Sequence, residues 1–343
     1  MISREEALDL FRSDDLIGIG MEADAIRRKW HPEGIASYII DRNINYTNFC
    51  TEYCTFCAFY RPLGHAEGYV LPQEAIFTKI QETIDLGGTG VLMQGGLHPD
   101  LKIEWYEDLF RSIKARFKIH LHCLSAPEVT NIRDVSSLTL RDTIARLRDA
   151  GLDSIPGGGA EILDDAVRHR ISRLKCSVDE WMDVHRTAHQ LGLRTTATMM
   201  FGTGETIEQR MNHFDLIRNL QSETGGFTAF IPWTFQRENT SLGRFVKEEA
   251  TAVEYLKTLA ISRIYLDNFE NVQSSWVTQG LKTCQLGLRF GGNDVGSIMI
   301  EENVVSAAGA HHRASEEELR RMIRDAGFIP KQRDTLYRTY FLN

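Results

Sequence analysis

Short apolar, β-branched stretches alternate with stretches of helical period along most of this chain, and that alternation restricts the fold more than any other feature. The segments 37–45, 90–96, 118–125, 152–159, 193–202, 227–233, 271–276 and 288–292 have the length and composition of strands. Between them, 72–87, 104–117, 138–151, 179–192, 207–224, 251–267 and 277–286 repeat apolar residues at three- and four-residue intervals, as does 315–326 further on. Strands apolar on both faces, each followed by a helix, pair in parallel with the helices outside. About eight such units fit a closed (β/α)8 barrel of the TIM type better than an open sheet. Residues 4–30 carry a helical period of their own. The expected organisation is a helical extension over 1–35, a barrel over 36–310 and a second helical extension over 311–343.

The formal net charge of −8 argues against a nucleic-acid partner, which favours a basic face. No apolar run approaches the length of a membrane span, and the first residues lack the apolar core of a signal peptide. A cytoplasmic, reducing location is expected, with a small molecule as the substrate. In such a compartment clustered cysteines bind metal or do redox work more often than they form disulfides.

Three of the six cysteines are clustered, as C-x3-C-x2-C at Cys50, Cys54 and Cys57. Thiolates are soft ligands that select zinc or iron–sulfur clusters. Structural zinc wants four ligands, commonly as two separated pairs, whereas here three sit in one loop. A [4Fe–4S] cluster takes four thiolates, so three leave one iron open to a substrate. The competing readings are buried structural cysteines, or a zinc-binding, non-catalytic barrel with His65 completing the site. Cys123, Cys176 and Cys284 are expected in the core. The motif follows the first predicted strand, and the turns QGGLHPD, SAPE, PGGGAE, FGTGET and PWTFQRENT follow later ones. In a barrel all of these meet at one face, where active sites sit.

This spacing, on the loop after the first strand of a βα barrel, resembles the radical S-adenosylmethionine (SAM) superfamily. The resemblance implies that Cys50, Cys54 and Cys57 ligate three irons of a [4Fe–4S] cluster. The fourth iron would chelate SAM, whose reductive cleavage yields a 5′-deoxyadenosyl radical. It implies further that Gln94, Gly95 and Gly96 meet the methionine end of SAM, although no Glu follows the glycines. Glu161, after three glycines, would take the ribose, and Gly202 and Glu205 of FGTGET would lie on the adenine side. Ile231 and Pro232 offer an apolar wall.

The segments 38–48, 93–110, 152–165, 179–202, 223–240 and 290–309 resemble the menaquinone branch of the superfamily, and in particular the cyclases of the futalosine route. Two sister families, the aminofutalosine synthases and the F0 synthases, share some of these segments. The implied reaction closes a ring within dehypoxanthine futalosine, with the electron supplied by a carrier such as flavodoxin or ferredoxin. Its carboxylate and sugar hydroxyls call for a cation and amides at the barrel mouth. The candidates are Arg42, Asn43, Asn45, Tyr46, His98, Arg237, Asn293 and Asp294. Asp294 and Glu301 are the candidate bases, and His185 and His189 are expected on a helix exterior.

Overall fold

Capped helices and parallel strands alternate as the periodicity predicts. The computed structural model describes residues 2–338, so the end of the expected C-terminal extension, 339–343, lies outside the described residues. Two helices come first, α1 (Arg4–Arg12) and α2 (Leu16–Trp30), and α2 packs along a later helix, α10 (Ala252–Tyr265). The first strand is interrupted at Ile40, giving β1 (Ile35–Ile39) and β2 (Asp41–Ile44). Then follow α3 (Gln73–Asp85), β3 (Gly90–Met93), α4 (Ile103–Arg116), β4 (His120–Cys123), α5 (Ala126–Val135), α6 (Leu140–Ala150) and β5 (Ser154–Ile155). The second half continues with α7 (Asp165–Ile171), α8 (Val178–Gln190), β6 (Arg194–Phe201), α9 (Ile207–Thr224) and β7 (Phe227–Thr234). After α10 come β8 (Asn271–Val272), α11 (Gly280–Gly287), β9 (Asp294–Ser297), α12 (Val304–Ala307), α13 (Glu316–Asp325) and β10 (Ile329–Gln332).

β2 to β8 pair in sequential order in one curled sheet of seven strands, and β1 lies between β9 and β10 in a sheet of three. The two sheets join at a seam. Gln273, just after β8, bridges Asp294 in parallel. There the Ser274 amide donates to the Asp294 carbonyl at 2.8 Å and the Asn293 amide to the Val272 carbonyl at 3.0 Å. β9 pairs with β1, which runs on into β2. The sheet therefore curls into a ring of the expected barrel type, with 35–44 acting as one kinked strand. Among the described residues no helix is long and apolar enough to cross a membrane.

Among the differences from the sequence expectation, the short helices α5, α7 and α12 lie in segments expected as loops, and two others concern the last strands. The strand expected over 288–292 starts instead at Asp294, because Gly291 turns at φ +96° and its carbonyl accepts from the buried Arg263 Nε at 2.8 Å. β10 was not expected at all, because Pro330 sits in a run of only four residues; it adds to the outer edge of β1, where proline is tolerated.

Alternation sorts each strand into a helix-facing and a ring-facing set. In β3 and β4, Val91, Met93, Leu121 and Cys123 are sealed beneath the helices, whereas Leu92, Gln94 and His122 face the ring interior and keep some open surface. The helix-side core is aromatic and wholly sealed at Tyr106, Phe110, Trp181, Phe214 and Phe230. His185 belongs to it: the helix exterior is not its place, and its ring lies 4.0 Å from that of Trp181, tilted by 46°.

The N-terminal end of the ring is plugged by an ion pair. Arg333 Nε and Nη2 reach Asp294 Oδ2 and Oδ1 at 2.6 and 2.9 Å, and Ser37 Oγ adds a bond at 2.7 Å. Asp294, expected as a base, thus spends its oxygens on the floor of the barrel, away from the mouth. Arg333→Met strands a buried carboxylate and is expected to cost about 3–5 kcal/mol. A lowered urea midpoint with unchanged slope is the reading that checks it.

Candidate active site

The chain leaves β2 at Ile44 and crosses the C-terminal end of the ring as the cysteine loop. Backbone bonds fix that loop: the Cys50 amide donates to the Arg61 carbonyl at 3.1 Å, Arg61 to Asn48 at 2.7 Å, and Thr51 to Leu97 at 3.2 Å. Thr55 ties in two distant segments, donating to the Ile171 carbonyl and accepting from the Leu242 amide and the Ser241 hydroxyl. Cys50 and Cys54 are buried, Cys57 is half-buried, and none is in a disulfide. Burial pushes the Cys54 thiol up to about 12; Lys175 opposes that, and the neighbouring Cys57 and Cys50 add to it.

Three thiols within electrostatic reach of one another suit a cluster that spreads its ligands over separate irons. Among the described residues, no three His, Cys, Asp or Glu side chains close around a single ion, as zinc with bonds of about 2.3 Å demands. His65 is exposed, and its Nδ1 accepts from the Glu67 amide at 3.1 Å. The loop also sits very close to the glycine turn. A Cβ on Gly96 would lie 2.1 Å from the Phe49 carbonyl oxygen and 2.9 Å from the Cys50 Cβ. The donor set and the cradle therefore fit an iron–sulfur cluster.

The glycine turn is held from behind by a carboxylate outside the expected site residues, Glu128. Glu128 accepts from the Gly95 amide at 2.8 Å, Tyr46 Oη at 2.7 Å, and the Ser125 amide and hydroxyl at 2.7 and 2.6 Å. Burial raises its pKa against those four bonds. The segment SAPE is not merely a loop: Ser125 and Glu128 form the capping box of α5, with Pro127 in the first turn. Tyr46, expected at the substrate, is instead sealed behind Gly95, its ring 2.7 Å from where a Cβ there would be. Gln94 crosses the rim, its Nε2 lying 2.6 Å from the Cβ position of Gly158.

Glu161 is buried at φ +44°, and Lys175 Nζ donates to its Oε1 at 2.6 Å. Burial alone lowers the Lys175 pKa, but Glu161 and Cys54 overcome it and hold the ammonium raised. Lys175 thus couples the expected ribose carboxylate to the cysteine loop. Nothing in its local sequence marks it, since one of its two partners, Cys54, lies in a loop far earlier in the chain.

The remaining candidates divide. Glu205 is sealed within its own turn, accepting from the Gly202 and Thr203 amides at 2.8 Å each and pairing with Arg210. Arg42 points outward to Glu82 at 2.6 Å and Glu301 at 3.2 Å, and Glu301 also pairs with Lys79 at 2.6 Å. Asn293 braces the seam, its Oδ1 taking bonds from Arg263 at 2.7 Å and the Val272 amide at 2.9 Å. Asn45 stays at the rim, bonded to the Gln94 carbonyl at 3.1 Å and to Asn303 at 3.2 Å. His98 packs edge-on against Phe49, and burial lowers its pKa. Arg237 holds loop carbonyls of Gly243 and Lys247 and lines a cavity of about 780 Å³ with Cys57, Tyr60 and Arg61. A second cavity, of about 40 Å³, joins Cys57 to Phe56, Met200, Trp233 and Phe235.

Residues 44–217 match the family described as the Radical SAM superfamily. The chain belongs to that superfamily. Residues 224–342 match the CofH/MqnC C-terminal region. The cyclic dehypoxanthine futalosine synthase of Halalkalibacterium halodurans is 51% identical over 98% of this chain and 90% of its own length. The aminodeoxyfutalosine synthase of Thermus thermophilus is 37% identical over 98% of this chain and 92% of its own. The crystal structure of methylornithine synthase superposes with a TM-score of 0.74 at 18% identity, covering 96% of this chain and 94% of that one, a likeness of fold alone. As a radical SAM protein the chain uses a [4Fe–4S] cluster and SAM.

Proposed function

We propose that this radical SAM enzyme is a cyclase that closes a ring within dehypoxanthine futalosine, in menaquinone biosynthesis. One observation carries the reading: the chain is closer to the H. halodurans cyclic dehypoxanthine futalosine synthase, at 51%, than to the T. thermophilus aminodeoxyfutalosine synthase, at 37%. Cys50, Cys54 and Cys57 hold the cluster, with an electron carrier of the flavodoxin or ferredoxin class as donor. When bound, cluster and SAM together supply a carbon radical able to take a hydrogen atom from a sugar.

The chain's own residues then orient and isolate. The turn at Gly95 and Gly96, braced by Glu128, presents backbone to the methionine end of SAM. Glu161, oriented by Lys175, accepts from ribose hydroxyls. Met200 and Trp233 face the ring beside Cys57 and give an apolar wall that keeps water from the radical. Asn45, Gln94 and His122 line a polar interior that fixes the two ends of one substrate at reacting distance.

The test is anaerobic incubation of the reconstituted, reduced enzyme with SAM and dehypoxanthine futalosine. The expected result is free 5′-deoxyadenosine and a product lighter than the substrate by one H₂. An adenosylated product without free 5′-deoxyadenosine, formed from an enolpyruvyl benzoate, would assign the chain to the aminodeoxyfutalosine synthases instead.

A further inference from the structure

We propose that His122, Ser154 and His120 form a proton relay, leading from the interior of the ring to a cavity at the end of the barrel opposite the cysteines. The proposal rests on the cyclase reading and supplies a step it leaves open. Ring closure forms one bond between a sugar carbon and an aryl carbon. It breaks one sugar C–H bond, whose hydrogen atom leaves in 5′-deoxyadenosine, and one aryl C–H bond, whose hydrogen leaves as a proton and an electron. The electron goes to a one-electron acceptor of the iron–sulfur class. The proton needs a base inside the ring; Asp294 is held by Arg333 at the floor, and Glu301 is taken up by Arg42, Lys79 and Asn303.

His122 is placed there. It lies in mid-β4 between Leu121 and Cys123, which face the helices, so its ring faces inward. Its Nδ1 is 2.7 Å from Ser154 Oγ, and the same oxygen is 2.7 Å from His120 Nε2. His122 Nε2 makes no hydrogen bond among the described residues and is not among their sealed, unpartnered atoms, so it is open to the interior. His120, at the start of β4, lines a cavity of about 620 Å³ with Lys114, Lys118, Asp153 and Asp334, at the N-terminal ends of the strands.

The chemistry of the middle link makes this chain directional. A hydroxyl has one proton, so Ser154 cannot donate to both rings; its oxygen meets no other acceptor among the described residues, so it donates to one ring and accepts from the other. The imidazoles are therefore held in linked tautomers. A proton entering at His122 Nε2 and another leaving at His120 Nδ1 reverse the whole chain without leaving a charge inside. Burial favours that neutral route: it lowers both imidazoles, His122 to about 3. An amide in place of either histidine would satisfy Ser154 equally well but could not pass a proton, and this separates a relay from a structural bond.

The experiment compares the enzyme with its Ser154→Ala and His120→Gln variants, measuring cyclic product and 5′-deoxyadenosine in the same reaction. General acid–base contributions set the scale: the product to 5′-deoxyadenosine ratio is expected to fall about 10²-fold in both variants, with KM little changed. A His120→Gln enzyme with the wild-type ratio overturns the relay. A wild-type enzyme that makes no cyclic product overturns the cyclase reading instead. Histidine ¹⁵N NMR with the cluster oxidised tests the linkage without turnover. The same tautomer at His120 and His122, both Nδ1–H or both Nε2–H, with that match lost in Ser154→Ala, supports the relay, and tautomers indifferent to that change overturn it.

Discussion

Alanine at Cys54 is expected to give a folded chain that no longer retains iron and forms 5′-deoxyadenosine only at background. Cys54 is 7% exposed and in mutual reach of Cys50 and Cys57, so removing it takes away one of three thiolates. Two cannot hold a cluster that already leaves one iron without a thiolate. The change removes a single sulfur, so stability should fall by no more than about 1–2 kcal/mol. Iron analysis after anaerobic reconstitution, beside a urea melt, checks both halves. Cys284→Ala is the control: that cysteine is wholly buried against Ser274, far along the chain from the loop, and its loss should leave iron content intact. Full iron in the Cys54 variant, or equal loss in the control, would refute the assignment.

Gly96→Ala is expected to be nearly as damaging, for a purely steric reason. The added carbon would meet the Phe49 carbonyl oxygen at 2.1 Å, and a backbone atom cannot rotate away as a side chain can. The cysteine loop must shift, at a cost of about 3 kcal/mol. Iron retention should fail with it, because Cys50 follows Phe49 directly. Gly192→Ala separates this clash from mere backbone strain. Gly192 sits at φ +83° with nothing within 4 Å of its Cβ position. Alanine there should cost about 1–2 kcal/mol and spare the cluster. Equal iron content in the two variants would show that close approach at Gly96 is not needed.

The parts of this protein that are legible in its sequence are those made by neighbours along the chain. α9 runs over 207–224 as its period predicts, β6 falls within its β-branched run, and β7 starts with its aromatic run and passes its end by one residue. The cysteine spacing and the Gln94 to Gly96 turn are local too, and the ring brings them together. What sequence does not carry is pairing between side chains of separate elements. Asp294 looks like an available carboxylate until Arg333, thirty-nine residues on, takes both its oxygens. Arg42 and Glu301 look like separate candidates for the mouth until they pair with each other and with Glu82 and Lys79 of α3. Lys175 and His122 lack any motif, because their meaning comes from the side chains that neighbouring loops and strands bring beside them. Glu128 is the instructive omission: its capping box with Ser125 is a local signal, present in the four letters of SAPE.

The seam of the ring has a consequence for how the chain is assembled in time. β1 is among the first strands to be synthesised, yet its partners are β9 and β10, more than 250 residues later, and the plug at Asp294 waits for Arg333. A ribosome delivers β2 to β7 as a succession of nearest-neighbour pairings, but the edge of β1 stays bare until almost all of the chain has emerged. Such long-separated contacts are slow to find and leave an unpaired edge exposed meanwhile. The two earliest helices, α1 and α2, have their own late partner in α10. The barrel is thus fastened last at the strand where it began.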